Sequence, residues 1–272
     1  MKTAYNRRLS DATLRNGKTA AVSWVLSVLR SSVGRKLVMG LTGLALSAFL
    51  VVHLAGNTLL FVGPEAYDKY AALLHSQPEL LLLAEIGLWG AFFAHAYIAY
   101  ALTKENWRAR PRSYKGFVGK RDDRIGAGFI APEKWMAISG TVVLGFTILH
   151  VAEFKFEWGW GSQLEPLSPY QQAVAILGNP LRKAIYVAGC VLLGVHVSHG
   201  FQSGWQSLGV NHEKINGLLK YASFGMGLLV AVGFSLFPVL HGAWDDPTYV
   251  PAEEFLPHSP TAAIEPAKEL ID

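Results

Sequence analysis

His53, His95, His150 and His196 each interrupt a different apolar stretch of membrane length. An imidazole in hydrocarbon leaves a ring nitrogen and a ring N–H seeking partners, so such residues are rare and mark functional positions. Four of them on four separate segments can supply the axial ligands of two b-type haems. That chemistry is electron transfer within a membrane, not transport or scaffolding.

The segments that must position these rings are 37–62, 80–102, 135–151, 184–205 and 218–240. Each approaches or exceeds the roughly 17–25 apolar residues that cross a bilayer. Their interiors hold only two charged groups, Glu85 and Lys220. This is how 51% hydrophobic residues coexist with 16% charged ones. The fold read from this pattern is an all-α membrane protein, a five-transmembrane-helix bundle enclosing two stacked b-type haems.

The net charge of +4 comes from basic loops and is not a nucleic-acid signature. Lysine and arginine concentrate before the first span and between the second and third, whereas 57–79 holds only Lys69 and the tail only Lys268. The positive-inside bias therefore places the N-terminus in the cytoplasm and the C-terminus outside, as an odd number of spans requires. The expected location is the inner membrane of a bacterial cell. The only cysteine, Cys190, lies in the fourth span, so the chain offers no internal disulfide and no cysteine-ligated cluster. The first apolar segment lacks a signal cleavage pattern and is expected to stay as a span.

Three regions follow. Residues 1–30 form a cytoplasmic N-terminal segment with an amphipathic interfacial helix over 21–30. Residues 31–241 form the membrane domain, and 242–272 an extracytoplasmic, acidic, proline-rich tail. A short helix is expected over 65–75. The basic stretch 104–134 is long enough to dock a cytoplasmic partner. No internal repeat of fixed period is evident.

Depth pairs the histidines. His53 lies 17 positions beyond Lys36 and His150 16 beyond Lys134, both on outward-running spans. At 1.5 Å per residue both rings sit roughly 25 Å from the inner boundary. His95 precedes Lys104 by nine positions and His196 precedes Gln206 by ten, on inward-running spans. Those rings sit roughly 13–15 Å from the boundary. His53 and His150 therefore form an outer pair, and His95 and His196 an inner one. His199 shares a face with His196, at roughly 10 Å, and depth alone leaves the choice between them open.

Other groups bear on the site. Glycines accompany the ligands at positions 40, 43, 56, 87, 90, 140, 145, 189 and 194. They serve close helix packing or make room for a flat macrocycle. Arg35 and Lys36 stand where they can pair with inner-haem propionates or simply mark the boundary. Quinone reduction needs hydrogen-bond donors at both carbonyls and a proton route. Tyr70, His75 and Glu85 are candidates near the outer haem; Ser31, Ser32, Arg35 and Trp135 are candidates at the inner end.

The stretches VVHLAGN around His53, FFAHAYIAY around His95, TILHVAE around His150 and VHVSHGFQSGWQSLG around His196 together resemble one family. It is the cytochrome b subunit of succinate:quinone oxidoreductases, in its single-chain, five-helix, two-haem form. The resemblance covers most of 31–241. It implies His196 as the fourth ligand, with His199 a neighbour of the inner haem. It further implies a succinate dehydrogenase or fumarate reductase complex in which a flavoprotein subunit carries FAD and the succinate site. An iron–sulfur subunit would link it to the inner haem, and a quinone, often menaquinone, would react at the membrane. It leaves room for a higher oligomer of that complex. The rival readings are the cytochrome b of a hydrogenase or formate dehydrogenase, a haem-free transporter using histidines as a proton relay, and a plain membrane anchor.

Overall fold

The computed structural model describes residues 27, 31–109, 132–159, 164 and 167–241, without the side chains of 132–135. Most of the interfacial helix expected over 21–30, most of the basic loop, and the tail from 242 lie outside the described residues.

The described elements are all helical. They are α1 (Ser32–Asn57, continued by a 3-10 turn Thr58–Phe61), α2 (Pro64–His75), α3 (Pro78–Ala109), α4 (Pro132–Phe154), α5 (Pro169–Gly178), α6 (Pro180–Ser207) and α7 (Glu213–Leu240). Five of them are long and apolar enough to cross a bilayer: α1 with its 3-10 turn, α3, α4, α6 and α7. The chain has the architecture of a multi-pass membrane protein.

Each spanning helix overshoots its apolar run at one or both ends, and in α1, α6 and α7 a side-chain cap sets the start. Ser31 starts α1, its Oγ accepting from Gly34 N at 3.0 Å. Asn179 starts α6, its Oδ1 accepting from Leu181 N at 3.1 Å and Arg182 N at 3.2 Å, with Pro180 pre-set for the first turn. His212 caps α7 through Nδ1, which accepts from Lys214 N at 3.2 Å. Gly63 takes φ +127° to turn the chain from α1 into α2, a conformation that side chains rarely adopt.

The four histidine-bearing helices close a ring in which α1 touches α3, α3 touches α4, α4 touches α6 and α6 returns to α1. Helix α7 lies outside the ring against α6. Their crossing is close because the residues there are small: a Cβ on Gly194 would stand 2.5 Å from the Gly227 carbonyl oxygen. Ser223 ties the same pair, donating to Ser198 O at 2.5 Å and accepting from Gln202 N at 3.1 Å. Gly40 and Gly204 make the corresponding approach between α1 and α6.

Helix α5 was not expected within what reads as an outer loop. Ser168 and Gln171 form a reciprocal capping box, and Asp68 of α2 accepts from Tyr170 N at 2.8 Å. Tyr170, Ala173, Val174, Ile176 and Leu177 are buried against Leu54, Leu60, Tyr186 and Phe237. This cluster caps the end of the bundle where α1, α4 and α7 finish and α3 and α6 begin. Elsewhere the helices turn large apolar side chains outward, among them Leu82, Leu83, Ile86 and Phe93 of α3 and Leu218, Phe224 and Leu228 of α7. Such a surface suits lipid and not water.

Candidate functional site between the histidine helices

The ring of helices brings the histidines together in two pairs. His53 on α1 faces His150 on α4, with ring centroids 5.9 Å apart and planes at 75°. His95 on α3 faces His196 on α6, at 6.4 Å and 78°. The first pair lies near the capped end and the second toward the opposite end.

The outer pair is enclosed by aromatic rings. Phe49 stacks on His53 at 5.3 Å, and Phe234 lies 5.6 Å from it. Phe154, Tyr186 and Phe146 surround His150 at 5.0, 5.9 and 6.2 Å. The Asn57 amide nitrogen stands 3.4 Å from His53 Nδ1 while donating to the His53 carbonyl at 2.8 Å.

The inner pair meets hydroxyls instead. Thr42 Oγ1 lies 3.3 Å from His95 Nδ1, and Ser139 Oγ lies 3.2 Å from His196 Nδ1. Glycine follows each hydroxyl residue. A Cβ on Gly43 would stand 3.1 Å from His95 Cε1, and one on Gly140 3.2 Å from His196 Cε1. The two readings of the glycines thus divide by position. Gly40 and Gly194 serve helix crossings, Gly43 and Gly140 leave room for the inner imidazoles, and Gly56 and Gly189 lie under Tyr70 and Phe146. Gly87, Gly90 and Gly145 have nothing within 4 Å of an added Cβ.

Each level offers two imidazoles. No group of three or more histidine, cysteine, aspartate or glutamate residues able to hold a metal ion occurs among the described residues. A bare structural zinc would want four protein ligands. Two opposed imidazoles suit a metal whose other positions are filled by a macrocycle. Nitrogen–metal bonds of about 2 Å on each side place the two ring centroids about 6–6.5 Å apart. Both measured separations fall at or close to that range.

The remaining candidates are spread out. His199 is exposed on α6, three positions beyond His196, with Nδ1 donating to the Val195 carbonyl at 2.9 Å. Arg35 is ion-paired with Glu105 of α3, tying the first turn of α1 to the last turns of α3, and Lys36 is exposed. Tyr70 packs over Gly56, so α2 sets it against α1 one turn beyond His53. His75 is exposed, its Nδ1 bonding the Ala71 carbonyl at 2.8 Å. Glu85 is ion-paired with Lys155, which follows α4. Ser31 is occupied as a helix cap, Ser32 is exposed, and Trp135 stands in the first turn of α4. On α2, burial together with the neighbouring Tyr70 and Asp68 pushes the Tyr67 phenol above its ordinary range.

A buried carboxylate escaped the sequence reading. Glu153, 4% exposed, accepts from Arg182 Nε at 2.5 Å and from Tyr186 Oη at 2.8 Å. Tyr186 in turn sets its ring edge against His150. The spacing of Glu153 three positions after His150, on one helix face, was the available signal.

No family model, curated protein or solved structure matches the chain.

Proposed function

We propose that this chain is the membrane-anchoring, di-haem cytochrome b subunit of a succinate:quinone oxidoreductase. The observation that carries the reading is the pair of opposed histidine couples, one above the other inside a ring of four membrane-length helices. The resemblance of all four histidine neighbourhoods to that family supports it further. When bound, two haems b supply a one-electron relay between the levels.

The residues then take these parts. His53 and His150 hold the outer haem and His95 and His196 the inner one, with His199 a bystander on the lipid side. Arg35 is engaged by Glu105, which leaves Lys36 as the boundary cation assigned to an inner propionate. Tyr70 donates to a quinone carbonyl at the outer end, where it lies one turn from His53. Glu85, kept in register by Lys155, hands protons to that quinone. The flavoprotein subunit with FAD and the succinate site, and the iron–sulfur subunit, dock on the cytoplasmic side, where basic residues concentrate. That orientation puts the capped end outward, in a bacterial inner membrane.

The test is the intact complex, solubilised with its partners. Succinate should reduce both haems, and removal of quinone should leave them reduced. Haems that respond to hydrogen or formate but stay silent to succinate would assign the chain to a different respiratory complex.

A further inference from the structure

We propose that Thr42 and Ser139 are positioning residues, two copies of one hydroxyl–glycine seat that fixes the tautomer and the aim of the inner histidines. The inference deepens the di-haem reading and rests on it for the nature of the centre.

The two copies share one register. On α1, Thr42-Gly43 precedes His53 by ten positions from the glycine; on α4, Ser139-Gly140 precedes His150 by the same ten. Ten helical positions are about 15 Å. Each of these helices therefore presents an outer ligand at one level and a seat for the opposite helix's ligand at the other. The ring closes because α1 seats His95 of α3 while α4 seats His196 of α6.

The proton position follows from counting hydrogens. A hydroxyl has one hydrogen and accepts with its lone pairs. Thr42 directs its hydrogen to its own helix, with Val38 O at 2.7 Å and Met39 O at 3.2 Å. Ser139 stands within reach of Met136 O at 3.4 Å and of His196 Nδ1 at 3.2 Å. Toward His95 the Thr42 oxygen is therefore an acceptor, and Nδ1 carries the N–H; the shared register assigns the same polarity to Ser139 and His196. A neutral imidazole protonated at Nδ1 has its lone pair on Nε2, which is the nitrogen left to bind a metal.

The glycine completes the seat. Its missing side chain lies against Cε1, the carbon between the two ring nitrogens, at 3.1 Å in one copy and 3.2 Å in the other. A larger residue would push the ring off the hydroxyl and off its partner together. Among the described residues the outer pair meets no such seat: its polar neighbour, Asn57, presents an amide donor, and aromatic rings surround it. An acceptor on Nδ1–H makes the imidazole a stronger electron donor to a metal. The seats therefore lower the reduction potential of the inner centre specifically.

The test uses the full chain with ring-nitrogen-labelled histidine, studied with and without haem. In the haem-free wild type, nitrogen NMR should show His95 and His196 protonated at Nδ1. Thr42→Val should alter the His95 signal alone and Ser139→Ala the His196 signal alone. In haem-loaded protein each variant should raise the inner potential and leave the outer one in place, and Thr42→Ser should restore it. Ring signals and inner potential unmoved in both variants would overturn the seat while leaving the di-haem reading intact. A chain that shows the tautomer pattern yet takes up no haem would overturn the di-haem reading and leave the seat standing.

Discussion

Gly140 lies beneath His196, so close that a Cβ on it would stand 3.2 Å from the imidazole Cε1. One methyl there asks the ring to give by a few tenths of an ångström, and a branched side chain asks for more than the pair has. Gly140→Val should therefore release the inner haem while the outer one stays, at a cost to stability of about 1–3 kcal/mol. A reduced-minus-oxidised spectrum with half the haem per chain checks it. Full haem content in Gly140→Val would show that the close contact constrains nothing.

Glu153 should be the costliest carboxylate to strand. Arg182→Met leaves a charge that is 4% exposed with the Tyr186 hydroxyl as its remaining partner among the described residues. Removing one partner of such a pair costs about 3 kcal/mol. Adding Glu153→Gln to that variant should recover most of the loss, because a neutral amide oxygen still accepts from Tyr186. Thermal unfolding in detergent reads both steps; no recovery in the double variant would mean that the charge is not the cause.

Glu85 and Lys155 are each about a third or more exposed, so their ion pair adds at most about 1 kcal/mol to stability. In the proposed function their part is proton delivery. Glu85→Gln should slow quinone reduction at least tenfold with both haems retained, and Tyr70→Phe should raise the KM for quinone more than it lowers kcat. Unchanged turnover in both would move the quinone site away from the capped end.

The five spans were legible because a bilayer imposes length and apolarity on contiguous residues, and both can be counted. The proximity of His53 to His150 and of His95 to His196 was legible too, since helical rise and span direction assign each ring a height. The seats were not. Thr42 and Ser139 act on rings 53 and 57 positions away, and a hydroxyl in an apolar helix gives no local sign of its partner. Helix α5 was missed because it is short, ten residues, and its five buried ones pack against other elements. The bond from Asp68 to Tyr170 spans 102 positions, and no short-range pattern announces it. Glu153 and Arg182 sit at helix ends that the hydropathy profile assigned to a loop.

The most direct measurement is haem loss, histidine by histidine, in the purified chain. Two b-type haems per wild-type chain are expected. His53→Ala and His150→Ala should each remove the same one, and His95→Ala and His196→Ala should each remove the other, with His199→Ala keeping both. Loss of one and the same haem in His53→Ala and His95→Ala, or a wild-type chain that binds no haem, would contradict the account.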